Sequence, residues 1–503
     1  MDKVELETVK TEKKQNAFLR AVGFDSTKQT TVRTEFIAGL VTFLAMAYIL
    51  TVNPNQIFGA GSPYWASAFI ATALAAVIGT LLMAFLAKMP LAQASGMGLN
   101  SMLGGIIGGW GGYGAAFTPG QGFMLVLISG LIFLLLSIIT VKGKSFRELI
   151  FDGMPVAVRS AISVGIGLFI AYIGFQNAGV IVADPYTQVA LVDFTQWELA
   201  KTAVVALSGV FLISLLDKAQ VKGSIILGIL GASIIGIPFG VTDLSILAGN
   251  EAITWKFWEN FGNYFSADAD TSVFGSFIHV FKDGLAPEGV SAFTIIMIII
   301  TMCMIDMFDT MGTIVGCCSG NRVLSDENNK PYNYGKIMYS DAIATCTGAL
   351  LGTSTVTTFV ESGAGVSAGG RTGLTAFTTA MFFFLSMFML PLFAAIPSAA
   401  AASALIYVGV LMMKGNVKTL ETSNAINATS AFLTIVIMLL SYSITKGIGV
   451  GMISYTLMSA IEYLIAWIKY AINKQEKPVW NVSIITLIVA LLFCVYFFVP
   501  AAF

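Results

Sequence analysis

Two aspartates, Asp306 and Asp309, lie one helical turn apart in an otherwise apolar stretch from about residue 291 to 315. The stretch is long enough to cross a bilayer, and a carboxylate at bilayer depth costs roughly 2.5–3.5 kcal/mol on insertion scales. Both side chains fall on one helix face, which Thr310 and Thr313 continue. Two acids on one span predict a polar cavity beside that face. The alternative is a buried structural pair, held by backbone amides or a neighbouring lysine.

Two glycine-rich apolar segments carry the same short pattern. Residues 95–98 read Ser-Gly-Met-Gly and residues 362–365 read Ser-Gly-Ala-Gly, so each segment is a poor helix former at its centre. Interrupted segments at corresponding positions of two halves indicate a transporter site near the middle of the membrane. Close helix packing is the simpler explanation of either run taken alone.

A third acid, Glu361, lies directly before the second of these runs. Residues 355–360 are mostly β-branched or aromatic, which predicts a short extended strand that ends at Glu361. Glu361 would then face the start of a half-helix, whose amides favour a negative side chain. Carboxylates that cluster at low dielectric cannot all ionise, so at least one is expected to bind a proton. The three acids therefore predict a proton- or cation-coupled site.

The composition predicts a membrane protein. The 503 residues are 56% hydrophobic and only 11% charged, less than half of the roughly 25% charged residues usual in soluble domains. The net charge of −1 gives no reason to expect a nucleic-acid partner. The five cysteines lie in or beside apolar runs, and the single histidine, His279, lies in a polar loop. We therefore expect no metal site, no cofactor and no enzymatic activity.

Fourteen apolar runs approach the ~20 residues that a spanning helix needs. They cover residues 34–53, 66–88, 91–109, 121–141, 156–178, 199–216, 221–238, 291–315, 336–352, 355–370, 373–392, 397–413, 428–444 and 447–468. Of the 27 basic residues, only Lys201, Lys256, Lys282 and Lys446 fall outside if the amino terminus is cytoplasmic. The sequence thus predicts an all-α polytopic membrane protein with two inverted seven-helix repeats, in which segments 3 and 10 are broken by short extended stretches.

Motifs between residues 30 and 468 resemble those of the AzgA-like purine permeases of the nucleobase–ascorbate transporter superfamily. The matching runs are residues 30–35, 47–54, 96–100, 306–313 and 353–376, in the same order as in that family. The resemblance implies proton-coupled uptake of adenine, guanine or hypoxanthine, and often a homodimer built on gate helices. Two features depart from the family pattern: Ser101-Met102 replaces a small-then-aromatic pair, and residues 480–498 form an additional hydrophobic segment.

The resemblance also implies a division of the chain into a core domain and a gate domain. The core would comprise residues 34–141 and 291–392, and the gate would comprise residues 156–238 and 397–468. We expect a cytoplasmic tail at 1–33, an extracellular loop at 239–290, and a basic linker with the hydrophobic segment at 469–503. The protein would be a multi-pass component of the cell membrane, in contact with lipid.

Carried over by position, the family's site residues match Asp306, Asp309, Glu361 and Asn100. The resemblance thus implies that the substrate contacts Glu361, Asp306, Asn100, Ser362 and Gly98. A purine presents ring N–H donors, which a carboxylate accepts, and backbone amides of a broken helix can bind a carbonyl oxygen. Glu361 suits a bidentate acceptor, and Asp306 suits a second substrate contact or the proton carrier. Asp309 would tune its neighbour from one turn away, so proton coupling is assigned to Asp306, Asp309 and Glu361.

The residues by themselves leave other functions open. A transporter of the same architecture could carry uracil, xanthine, urate or an inorganic anion, although three acids disfavour an anion. An ion channel would need a repeated carbonyl filter or a ring of charges, and a membrane enzyme would need a catalytic cluster. The residues do not choose among the purines or between proton and sodium, and they do not decide whether 480–498 crosses the membrane.

Overall fold

The structure is a computed structural model. It describes residues 17–25, 30–109, 116–141, 144–145, 149, 153–184, 187–248, 253–318, 323–325, 331–473 and 477–498. Most of the expected amino-terminal tail therefore lies outside the described residues.

The described residues form twenty α-helices, numbered here in chain order. They are α1 (Ala17–Ala21), α2 (Val32–Met46), α3 (Ile49–Phe58), α4 (Trp65–Leu82), α5 (Met97–Gly108), α6 (Pro119–Ile138), α7 (Val156–Asn177), α8 (Trp197–Lys218), α9 (Ser224–Gly236), α10 (Phe257–Tyr264), α11 (Val273–Asp283), α12 (Ala292–Cys318), α13 (Tyr334–Leu351), α14 (Ser362–Ser367), α15 (Gly373–Ser386), α16 (Leu390–Ala394), α17 (Ser398–Asn416), α18 (Ala425–Leu440), α19 (Ile444–Asn473) and α20 (Ile484–Phe498).

Eight helical stretches among the described residues are long and apolar enough to cross a membrane. They are Val32–Phe58, Trp65–Ala87, Pro119–Ile138, Val156–Asn177, Trp197–Lys218, Ala292–Met311, Gly373–Ala394 and Lys446–Ile472. Each of the fourteen expected runs contains at least part of a helix, but several of these helices are shorter than a full crossing. The chain is a largely helical, multi-pass membrane protein.

The strands pair two by two: β1 (Gln93–Ser95) with β6 (Val356–Thr358), β2 (Thr140–Val141) with β3 (Lys144–Ser145), and β4 (Ile181–Asp184) with β5 (Gln188–Leu191). The antiparallel pair β1/β6 joins segments that are far apart in sequence, with Ala94 opposite Thr357. Strand β1 leads into α5, and β6 is followed by Glu361 and α14. Both strands are fully buried, so their pairing satisfies backbone groups that water cannot reach.

Two glycines make room for this buried strand pair. A Cβ added at Gly79 of α4 would lie 2.9 Å from a methyl group of Val356, and one at Gly348 of α13 would lie 2.5 Å from the other. Real side chains do not approach so closely, so β6 fits between α4 and α13 only because both helices lack a side chain there. The packing of β6 between these two helices thus helps to fix the position of Glu361, the residue directly before α14.

The helices pack in two groups. Helices α2–α6 and α12–α15 pack mainly against one another and surround the β1/β6 pair. Helices α7–α9 and α17–α19 form the other group, in which α7 packs extensively on α17. The two groups also meet, since α7 touches α5 and α12.

A buried carboxylate ties α2 to the start of α15. Glu35 is fully buried, and its Oε1 accepts the Arg371 amide at 3.0 Å, while its Oε2 accepts the Thr375 amide at 3.1 Å and the Thr375 hydroxyl. The carboxylate accepts amides at and just before the start of α15, where a negative charge is favoured. Glu35 therefore has a structural role.

Replacing Glu35 with glutamine should lower the free energy of unfolding by about 1.5–3 kcal/mol, the range for a hydrogen bond to a charged group. Thermal unfolding of purified protein measures the change. Arg33→Gln, two residues earlier at an exposed position, is the control and should melt like the wild type. Equal melting of Glu35→Gln and wild type would contradict this role.

The sequence predicts a loop at 239–290, whereas the structure has helices within this polar stretch. It contains α10 and α11, and Tyr264 is fully buried and donates its hydroxyl to the Leu351 carbonyl at 2.8 Å. Apolar residues on one face of each short helix, rather than a long apolar run, produce this packing.

The additional hydrophobic segment forms α20, which packs against α19. A Cβ added at Gly449 of α19 would lie 2.6 Å from the Phe493 ring, and the Thr486 hydroxyl donates to the Gly153 carbonyl at 2.9 Å. At 1.5 Å per residue α20 is about 22 Å long, shorter than the ~30 Å hydrocarbon core of a bilayer.

Candidate functional site

A cavity of about 410 Å³ lies between the two helix groups. This volume falls in the range of roughly 300–1,000 Å³ that is usual for small-molecule sites. The α7/α17 side is mainly apolar and consists of Ser163, Ile166, Ile170, Val408, Leu411 and Met412. The opposite side carries the polar groups Asp309, Thr313, Cys317, Thr358, Glu361 and Ser367, together with Gly98.

One carboxylate oxygen of Glu361 accepts a hydrogen bond, and the other has no donor among the described residues. Its Oε1 accepts the Tyr48 hydroxyl at 2.6 Å, and its Oε2 is buried with no hydrogen-bond donor among the described residues. Tyr48 stands where α2 ends and α3 begins, so a break in the first spanning stretch orients the acid. The sequence predicts that both oxygens bind the substrate, whereas in the structure one of them accepts the Tyr48 hydroxyl.

Replacing Tyr48 with phenylalanine should weaken substrate binding by about 10- to 150-fold, since a hydrogen bond to a charged group contributes roughly 1.5–3 kcal/mol. The ring would still fill its buried position, so the loss of stability should not exceed the value of that one hydrogen bond. Titration of ligand binding to the purified variant gives the answer. Wild-type affinity would mean that Tyr48 does not orient Glu361.

Asp309 borders the cavity together with Thr313 and Cys317, which follow it at four-residue intervals along α12. It is partly exposed, and its Oδ2 accepts the Thr357 hydroxyl of β6 at 3.4 Å. Residues spaced by four lie on one helix face, so these three side chains form a stripe along the cavity wall.

Asp306 lies elsewhere. It is fully buried and does not line the cavity, and its Oδ2 accepts the Thr345 hydroxyl of α13 at 3.1 Å. The same hydroxyl lies 3.2 Å from the carbonyl of Val356 in β6. Through Thr345, Asp306 therefore stabilises β6 from outside the cavity. Three residues turn a helix by about 300°, which leaves the two aspartates ~60° apart and lets α12 aim one at the cavity and one at α13. The structure therefore places Asp309 rather than Asp306 at the cavity, the reverse of the roles predicted from the sequence.

The other expected contacts divide in the same way. Gly98 lines the cavity, and a Cβ there would lie 3.3 Å from Ile166 of α7. Asn100 is fully buried away from the cavity and accepts the Ser354 hydroxyl through Oδ1. Ser362 is also fully buried, and its hydroxyl accepts the Ala92 amide at 3.0 Å. Asn100 and Ser362 thus hold the two interrupted segments together.

A fourth acid near the cavity, the fully buried Asp341 of α13, was not among the residues predicted from the sequence. Its Oδ1 accepts the Thr310 hydroxyl at 2.8 Å and the Gln93 side-chain amide at 3.2 Å. Asp341 therefore links α12, which carries the aspartates, to β1. An acid in the apolar run 336–352 was the available signal, but it stands among Ser and Thr residues that make the run look merely polar.

Amide donors lie beside the acids. Helix α5 begins at Met97 after Gly96 with no side-chain cap, and the first amides of a helix have no intrahelical acceptor. Met97 and Gly98 line the cavity on the same side as Glu361. The site can therefore bind a small ring through carboxylate acceptors, amide donors and apolar walls.

Several known proteins are similar to this chain over most of its length. A model of the Permease family (Xan_ur_permease) matches residues 33–450. A putative permease of Methanocaldococcus jannaschii is 35% identical over 92% of this chain and 95% of its own length. Adenine permease AdeP of Escherichia coli is 35% identical, over 85% of this chain and 87% of its own. Guanine/hypoxanthine permease PbuO of Bacillus subtilis is 36% identical, over 86% of this chain and 93% of its own.

A solved structure shows the same fold. The transmembrane domain of the cyanobacterial bicarbonate transporter BicA superposes with a TM-score of 0.54 at 16% identity, covering 83% of this chain and 97% of that one. Such low identity shows the architecture alone. The expected family is confirmed, and the chain is a transporter and not an enzyme: it belongs to the Permease family of nucleobase–ascorbate transporters.

Proposed function

We propose that this permease imports purine nucleobases (adenine, guanine or hypoxanthine) by proton symport with alternating access. The observation that carries the proposal is the free Oε2 of Glu361, a buried acceptor that faces a cavity of small-molecule size. A ring N–H of a purine satisfies that oxygen, Asp309 accepts a second N–H, and the α5 amides donate to a carbonyl or ring nitrogen. The names of AdeP and PbuO point to the same class of substrate.

We propose the architecture that goes with this function. Fourteen segments form two inverted repeats, with segments 3 and 10 broken at β1 and β6. The group α2–α6 with α12–α15 is the core domain that carries the substrate, and the group α7–α9 with α17–α19 is the gate. The excess of basic residues on one side supports a cytoplasmic amino terminus in the cell membrane. Lipid-facing gate helices would also provide the homodimer contact.

Proton coupling follows from an excess of acid. Asp309 and Glu361 border the cavity, Asp306 and Asp341 lie behind it, and none of the described cavity-lining residues is basic. Ionising all four carboxylates together in a low dielectric is unfavourable, so a proton accompanies the neutral base.

Uptake should therefore rise as the external pH falls from about 8 to 6, because protonation of the acid cluster is then easier. A protonophore should abolish accumulation, and replacing sodium with choline should change little. The initial rate of labelled purine uptake in intact cells measures all three effects. Sodium-dependent uptake that ignores pH would overturn proton symport.

The substrate class is tested by uptake in cells that lack their own nucleobase transporters. We expect accumulation of at least one of adenine, guanine and hypoxanthine, with competition by the unlabelled base. Uracil, xanthine, urate and bicarbonate are the competitors that represent the other candidate substrates. Transport of one of these without any purine uptake would refute the proposal.

A further inference from the structure

We propose that Cys317 is an inhibitory modification site inside the substrate cavity, where positively charged thiol reagents react and block transport. The modification itself does not depend on the proposed function, whereas the side of access, the loss of purine uptake and the protection of the thiol by a bound purine rest on it.

The thiol lies on the polar wall of the cavity, where Cys317 is 7% exposed, against 0% for Cys318. Cys317 stands two turns after Asp309 on α12, on the stripe that lines the cavity. Its Sγ lies 3.5 Å from the Val360 carbonyl, the peptide that directly precedes Glu361. A group attached to this sulfur would therefore occupy the space between α12 and Glu361.

A second observation points to a ligand in the same space. Glu361 is 6% exposed, and its Oε2 has no donor among the described residues. With Asp309 nearby and no basic residue among the described lining residues, the cavity attracts cations and repels anions. Reagents that differ only in charge should therefore react at different rates.

The reagent has a route to the cavity. A second cavity of about 580 Å³ shares Val360, Glu361, Ser367 and Leu411 with the first. It is also lined by the exposed residues Gln220 and Lys222, in the turn between α8 and α9. In the proposed orientation this turn is cytoplasmic, so the thiol is reached from the cytoplasmic side.

The chain supplies its own matched control. Cys318, the next residue, is fully buried and lines neither cavity, because one residue along a helix turns the side chain by about 100°. The remaining cysteines, Cys303, Cys346 and Cys494, do not line these cavities either.

The reaction is an exchange on a methanethiosulfonate. The thiolate of Cys317 attacks the divalent sulfur of the reagent, which is bonded to the sulfonyl group, and forms a mixed disulfide with it. The S–S bond of the reagent breaks, methanesulfinate departs with the electron pair, and the thiol proton goes to solvent.

The experiment uses full-length protein in membrane vesicles with the cytoplasmic face outward. A trimethylammonium-ethyl reagent is compared with its sulfonatoethyl counterpart, and the Cys317 peptide is followed by mass spectrometry. Purine uptake is expressed relative to the same untreated variant. We expect the cationic reagent to modify Cys317 about tenfold faster or more, with parallel loss of uptake. Cys317→Ser should be resistant, Cys318→Ser should be as sensitive as wild type, and bound purine should slow the modification.

No adduct on Cys317 in the wild type, or full sensitivity of Cys317→Ser, would overturn the modification site. Equal rates for the two reagents would overturn the acidic cavity as the cause of selectivity. Rapid modification that purine does not slow would leave the thiol site standing and contradict binding of purine in this cavity.

Discussion

Replacing Glu361 with glutamine is expected to weaken purine binding by roughly 5- to 150-fold, the equivalent of ~1–3 kcal/mol for an unsatisfied buried pair. The new NH2 group would face either the Tyr48 hydroxyl or the ring N–H of the base, and in both orientations a donor or acceptor loses its partner. Equilibrium binding of labelled purine to purified protein measures the loss.

The control for this change is Glu198→Gln, which alters an exposed carboxylate at the start of α8. It should bind purine like the wild type, and both variants should melt within a few degrees of it. Unchanged affinity in a well-folded Glu361→Gln protein would remove Glu361 from the substrate site.

Replacing Asp309 with asparagine should weaken binding about tenfold or more and flatten the dependence of uptake on pH. Asp309 borders the cavity, so its substitution replaces one acceptor oxygen with an NH2 donor and removes a negative charge from the cavity that Glu361 also lines. Asp306→Asn should retain measurable purine binding, because Asp306 contacts Thr345 behind β6 and not the cavity. Its effect should appear in thermal stability and transport rate.

Binding titrations, melting curves and pH–uptake curves on the two single variants separate these roles. If Asp306→Asn removed binding while Asp309→Asn retained it, the assignment drawn from the sequence would be correct and the one drawn from the cavity would be wrong.

Local patterns were sufficient to predict several parts of the site. Two aspartates in an apolar run indicated α12, and the β-branched residues before Glu361 predicted a strand where β6 occurs. Each of these signals lies within about ten residues of sequence, at the scale on which helix and strand preferences act.

Features that depend on distant partners could not be predicted in the same way. No local pattern indicates that β6 pairs with β1, since that choice is made by the packing of α4 and α13 around both strands. Tyr48 is one aromatic residue in an apolar segment, and only the fold places its hydroxyl on Glu361. Which of Asp306 and Asp309 lines the cavity likewise depends on how α12 is rotated about its axis, and the sequence pattern leaves that rotation undetermined.

The most direct test of the account is binding of adenine, guanine and hypoxanthine to the purified wild-type protein, measured beside Glu361→Gln. The account predicts saturable binding of at least one purine that excess bicarbonate does not displace and that Glu361→Gln weakens by roughly 5- to 150-fold. Absence of purine binding to folded protein, or equal binding by both proteins, would contradict it.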